Sequence, residues 1–283
     1  MKIAKTLSTA ALLLSATIAL ALPQTAAQPT TQNEAAPTKQ ATPSTAKKAP
    51  APKTQAEYDA YKAAASQTEA AKLEAAATDF AQKFPESELR GFLFQQAMGL
   101  YQQANNPEKT LEMARSVLKY DPGNAVALLT AAQMLAERTH DNDLDREDRL
   151  AEAAADAQSA LQHADELPQP TNMTPEQFAG ALAQLRGTAH EVIGTVAFKK
   201  QDYFNAIKEY NAAAAEEKEH TDPVVWLRLS VAHDKSGDVA SASATVEKAI
   251  AASEPGSQIR QLAEQEKKRL EKLAPSTLKP TSK

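Results

Sequence analysis

The chain has 283 residues, 42% of them hydrophobic but only 5% aromatic, with eight glycines beside abundant alanine; this composition favours helices over sheets and can bury a sizeable core. There is no cysteine, which excludes a disulfide framework, thiolate metal ligands, a thiol nucleophile and a lipid-modified N-terminal cysteine. The formal charge of −5 is uneven: with Lys2, Lys5, residues 28–53 and residues 257–283 set aside, 18 basic and 32 acidic side chains remain, a body too acidic for nucleic acid.

Lys2 and Lys5 precede an uncharged apolar run from Ala10 to Leu22, and small residues then gather at Thr25, Ala26 and Ala27. This is the three-part plan of a secretory signal peptide, in a run shorter than the roughly 20 apolar residues a membrane span needs. Residues 1–27 are expected to direct export, with cleavage after Ala27 or, alternatively, after Ala21, leaving no stable membrane span. The style of the signal points to a bacterial envelope protein, periplasmic or secreted. Residues 28–53, rich in Pro, Ala, Thr and Lys, hold almost no large apolar group. They cannot bury enough surface to offset their ordering entropy, so a disordered linker is expected there.

Helical hairpins follow. The first, within residues 54–86, places Tyr58, Tyr61, Leu73, Phe80 and Phe84 as anchors and closes at Pro85. In the second, from Gly91 to Asn124, Phe94, Ala97, Met98 and Tyr101 form one stripe and Thr110, Ala114 and Val117 the facing one. The third starts at Ala125 with Leu128, Ala131, Ala132 and Leu135. Its second helix is delayed by nine residues, so that the expected small position arrives as Ala153, followed by Ala157 and Ala160. Thr174, Pro175 and Gln177 then signal the N-terminus of a long helix, to about Lys200. Gly180, Gly187 and Gly194 recur on one side of it, where close helix crossings would compensate for about 1 kcal/mol of lost helix propensity each.

The clearest hairpin runs from Gly187 to His220: Ile193, Gly194 and Ala197, a polar turn, then Ala206, Tyr210 and Ala213. A fifth, Pro223 to Gly256, carries Trp226, Leu229 and His233, a Gly237-Asp238 turn, and Ala242, Val246 and Ala249. A charged last helix offers Ile259, Leu262, Leu270 and Leu273 to cover it.

This helix–turn–helix unit of about 34 residues resembles the tetratricopeptide repeat. The resemblance implies an all-α fold: a right-handed superhelix of about five such hairpins plus a C-terminal capping helix, over residues 54–274, with 275–283 a disordered tail. It also implies a non-enzymatic scaffold that binds a protein or peptide partner in a concave groove lined by first helices. Carried over position by position, the groove comprises Phe92, Gln95, Gln102 and Gln103; Val126, Leu129 and Gln133; Glu191, Thr195, Phe198 and Lys199; and Asp234 and Lys235. A structural spacer or envelope-assembly helper engaging cell wall through its Lys-rich tail is the alternative, and an enzyme the second. No cofactor and no small-molecule substrate is expected.

Two motifs point elsewhere. His190-Glu191-Val192-Ile193-Gly194 begins like the zinc-protease motif, but Gly194 stands where the second histidine belongs. Asp141, Asp143, Asp145 and Glu152 occupy places 1, 3, 5 and 12 of a loop resembling the EF-hand, with Arg146 in place of its turn glycine. No metal site is expected from the first; the second is either a calcium loop or an acidic lead-in to the next helix.

Overall fold

The computed structural model describes residues 50–273; the expected signal peptide, most of the expected linker and the expected tail lie outside them. Among the described residues there are eleven α-helices and no strand: α1 (Gln55–Ala65), α2 (Ala70–Lys83), α3 (Arg90–Gln103), α4 (Pro107–Tyr120), α5 (Ala125–Arg138), α6 (Arg146–His163), α7 (Pro175–Lys199), α8 (Tyr203–Glu217), α9 (Pro223–Lys235), α10 (Val239–Ala252) and α11 (Gln258–Leu273). Odd and even helices pack in consecutive pairs, and each pair packs on the next. The fold is an all-α superhelical array of hairpins.

Local chemistry sets the boundaries. Asn106, Asn124, Asp202 and Asp238 each accept a hydrogen bond from the backbone N–H three residues on, at 3.2, 3.0, 3.2 and 2.9 Å, and such caps are worth about 1 kcal/mol each. Thr174 and Gln177 complete a reciprocal capping box at the start of α7, as their spacing predicts. Three hairpin turns share one geometry. Asn105, Gln201 and Gly237 stand at φ 51°, 63° and 88°. The N–H of the residue after each reaches back to the carbonyl five residues earlier: Asn106 to Tyr101, Asp202 to Ala197, Asp238 to His233, at 2.9–3.0 Å. A left-handed residue with a six-to-one bond closes the first helix and aims the second. The turn is thus repeated structurally even though its residues differ.

The buried stripes follow the expected positions. Thr110, Ala153, Ala206 and Ala242 are all buried at the same place in successive second helices, and Tyr101, Ala114, Val117, Leu135, Ala157, Ala160, Tyr210, Ala213, Val246 and Ala249 are buried with them. Alanine at so many contacts lets helix axes approach closely and leaves no room for larger groups.

Three expectations change. The residues inserted after α5 do not form a long loop: α6 begins at Arg146, so the connection is 139–145 and the rest lengthens the helix. Acidic Glu147 and Asp148 in its first turn suit that start. Leu273 does not cover the last hairpin; it is half-exposed, and Ala263, Glu266 and Leu270 are the buried residues of α11. The α7 glycines also divide. A Cβ on Gly194 would lie 2.8 Å from the Tyr210 ring and one on Gly187 would lie 2.6 Å from the Glu217 carboxylate, but one on Gly180 would meet nothing. Gly194→Ala is therefore expected to destabilise the array by about 1–3 kcal/mol through overpacking. Gly180→Ala should stabilise it by up to about 1 kcal/mol through helix propensity. Urea midpoints of the two variants check the opposite signs.

Candidate binding groove

First helices meet across repeats: α1 touches α3, α5 touches α7, and α9 touches α11. Neighbouring second helices are instead bridged by long ionic side chains, Lys109 to Glu74 and Arg115 to Glu152, each at 2.8 Å. Where these first helices touch they form the closer-spaced layer, as the inner layer of a superhelix does, and the carried-over groove residues all lie on odd-numbered helices. The structure separates these residues into two groups.

On α3 and α5 the lining is uncharged and open. Gln102 and Gln133 are partly exposed and Gln103 fully so, and among the described residues none of their amides has a hydrogen-bond partner. Gln95 accepts a long bond of 3.4 Å from Asn124. Phe92 and Val126 are partly buried against the core below them, and Leu129 is buried. Such amides can donate to and accept from an extended main chain without selecting a charge.

On α7 and α9 the lining is occupied by the protein itself. Arg228 of α9 donates to Glu191 of α7 at 2.7 Å, to Thr195 at 3.1 Å and to Glu137 of α5 at 3.1 Å. Thr195 also meets the Tyr210 hydroxyl at 3.3 Å. Lys199 donates to the Thr139 carbonyl at the end of α5, at 2.7 Å, while its own carbonyl accepts from Arg146. Asp234 pairs with Arg269 of α11 at 2.5 Å. Phe198 stacks edge-on against Tyr203 at 5.5 Å. Of the five carried-over polar or charged residues here, only Lys235 is exposed and has no ion-pair partner among the described residues.

Burial shapes the charges. It pushes the Glu191 carboxyl up to about 7, with the attraction of Arg228 offsetting only part of the cost and Asp222, Glu137 and Glu217 adding to it. Burial also opposes the charge on Arg228, but Glu191, Tyr210 and Glu137 outweigh it and hold the guanidinium firmly protonated. Lys199 is held below the usual lysine range by desolvation.

The other sequence motifs resolve into packing. The His190 ring meets Glu209 of α8 at 2.8 Å. The four EF-hand-like carboxylates do not converge: Asp143 accepts from the His140 N–H at 2.8 Å and Glu152, inside α6, pairs with Arg115 of α4. Among the described residues no group of three or more His, Asp or Glu side chains is placed to hold a metal ion.

Sequence reasoning passed over Arg228 and Glu137. A signal was available: Arg228 interrupts the apolar run Val224-Val225-Trp226-Leu227-Arg228-Leu229, and no acidic residue stands three or four places from it. A charge so placed needs a partner on another helix.

No family model matches the chain, and no curated protein matches it. Ten solved chains do. One is PilW, described as a widely conserved type IV pilus biogenesis factor, with 17% identity, 81% of this chain and 96% of that chain covered, and a TM-score of 0.45. Another is Acl4, described as the assembly chaperone of RpL4, with 11% identity, 77% and 97% coverage, and a TM-score of 0.38. At these values neither likeness carries an argument about function; the repeated turns and buried stripes of the chain itself define its architecture.

Proposed function

We propose that the chain is a non-enzymatic scaffold of the tetratricopeptide type, exported to the cell envelope, that holds an extended segment of a protein partner along α3 and α5. The observation that carries this reading is the set of amides, Gln102, Gln103 and Gln133, without hydrogen-bond partners among the described residues, on the same helices as the partly buried Phe92 and Val126. A main chain laid there would replace water on the amides with hydrogen bonds worth about 1 kcal/mol each, and the apolar ground would take alternate side chains. The C-terminal half of the inner layer, its polar groups engaged by its own ion pairs, serves as the wall of the groove.

Capture from an envelope extract tests this. A protein partner held by the full chain should be retained about tenfold less by a Gln102→Glu, Gln133→Glu double variant, the loss of about 1.4 kcal/mol. It should be retained in full by Lys248→Glu, on the outer second helix α10. Equal retention by all three would move the binding surface away from the groove.

A further inference from the structure

In a helical-repeat array each hairpin ordinarily touches only its neighbours. The contact from Arg228 of α9 to Glu137 of α5 spans 91 positions in sequence and passes over α7. The Arg228 side chain is about one-eighth exposed and the Glu137 and Glu191 side chains less than one-fifth, so this is a sheltered clasp on the inner layer. Beside it, Lys199 draws the end of α5 toward α7.

The clasp is short of positive charge. Glu191 is faced by Glu137 from α5, by Tyr210 and Glu217 from α8, and by Arg228 and Asp222 from α9 and its cap; Lys199 lies two turns along its own helix and is committed to carbonyl oxygens. The guanidinium thus contacts two carboxylates, with two more nearby, and another cation, the Lys199 ammonium, acts on Glu137. With Glu191 neutral, Arg228 and Glu137 make a balanced pair across α5 and α9. With Glu191 ionised, it draws the guanidinium toward α7 and repels Glu137, so the contact to α5 is the one that yields.

We propose that the Arg228 clasp is a latch on the curvature of the array, closed while Glu191 holds a proton and released when it ionises. This concerns the shape of the groove and stands whether or not the groove takes a peptide. The thermodynamic sign agrees. An unfolded Glu191 ionises near 4.5, and the folded one holds its proton up to about 7. Across that window the folded chain binds the extra proton, so stability falls as pH rises, as a latch that loosens toward alkaline pH requires.

The chain lacks cysteine, so a Gln103→Cys, Lys235→Cys pair, both exposed, can carry two spin labels across the groove of the full chain. The α3–α9 distance is expected to lengthen by a few ångström between pH 5.5 and pH 8.5, as about a three-unit span brackets the transition. Glu191→Gln should hold the short distance at both. Glu137→Gln removes the charged α5 end of the clasp, and should leave the longer distance at both pH values. A distance unchanged by pH, a Glu191→Gln protein that lengthens like the parent, or a Glu137→Gln protein that still shortens at pH 5.5 would overturn the proposal.

Discussion

Arg228→Ala is expected to cost about 3–5 kcal/mol of folding stability, because it strands Glu191 and Glu137 as uncompensated carboxylates in a sheltered site. The mechanism distinguishes this from lost packing. Arg228→Met, which keeps much of the stem, should remain far less stable than the parent, whereas Arg228→Met with Glu137→Met and Glu191→Met should recover to within about 1 kcal/mol. Urea unfolding at pH 8, with Glu191 ionised, gives the largest contrast. At pH 5 the single variant should lose less, since a protonated Glu191 needs no partner. Equal losses at both pH values would show that Arg228 acts by packing alone.

Tyr210→Ala is expected to cost a similar amount, about 3–5 kcal/mol, for a different reason. The ring is 2% exposed and fills the space that Gly194 leaves open. Tyr210→Phe should cost only about 0.5–1.5 kcal/mol, as it loses the single 3.3 Å contact to Thr195. The ring and the glycine are expected to be strongly non-additive. Gly194→Ala clashes with Tyr210 alone among its three nearest contacts, so in a Tyr210→Ala background it should be nearly neutral. A double-mutant cycle measures that coupling.

The fold was largely legible because helix periodicity and capping chemistry are local. Thr174 with Gln177 marks a helix start that the structure reproduces, and the delayed Ala153 lands in the core despite the insertion. The start of α6 was not legible, because Arg146-Glu147-Asp148-Arg149 reads equally as polar loop or as the acidic first turn of a helix. Gly180 was misjudged for a related reason: a seven-residue period places three glycines on one side of a helix but cannot say where a neighbour runs alongside. The groove was legible only as a set of positions. Gln102 and Gln133 have no hydrogen-bond partner among the described residues, but whether Glu191, Lys199 and Asp234 are available depends on Arg228, Thr139 and Arg269, which come from elsewhere in the chain.

The clasp across α5, α7 and α9 also bears on how the molecule comes apart. An array of purely adjacent contacts behaves as a one-dimensional chain of coupled units and can fray from either end one hairpin at a time. A bond that skips a unit adds a second-neighbour coupling, so while the clasp is closed the α9–α10 hairpin cannot be peeled away without disturbing α5. The hairpins from α5 to α10 should melt as one cooperative block. The α1–α2 hairpin, with an 11-residue first helix and no such tie among the described residues, is the end from which unfolding begins.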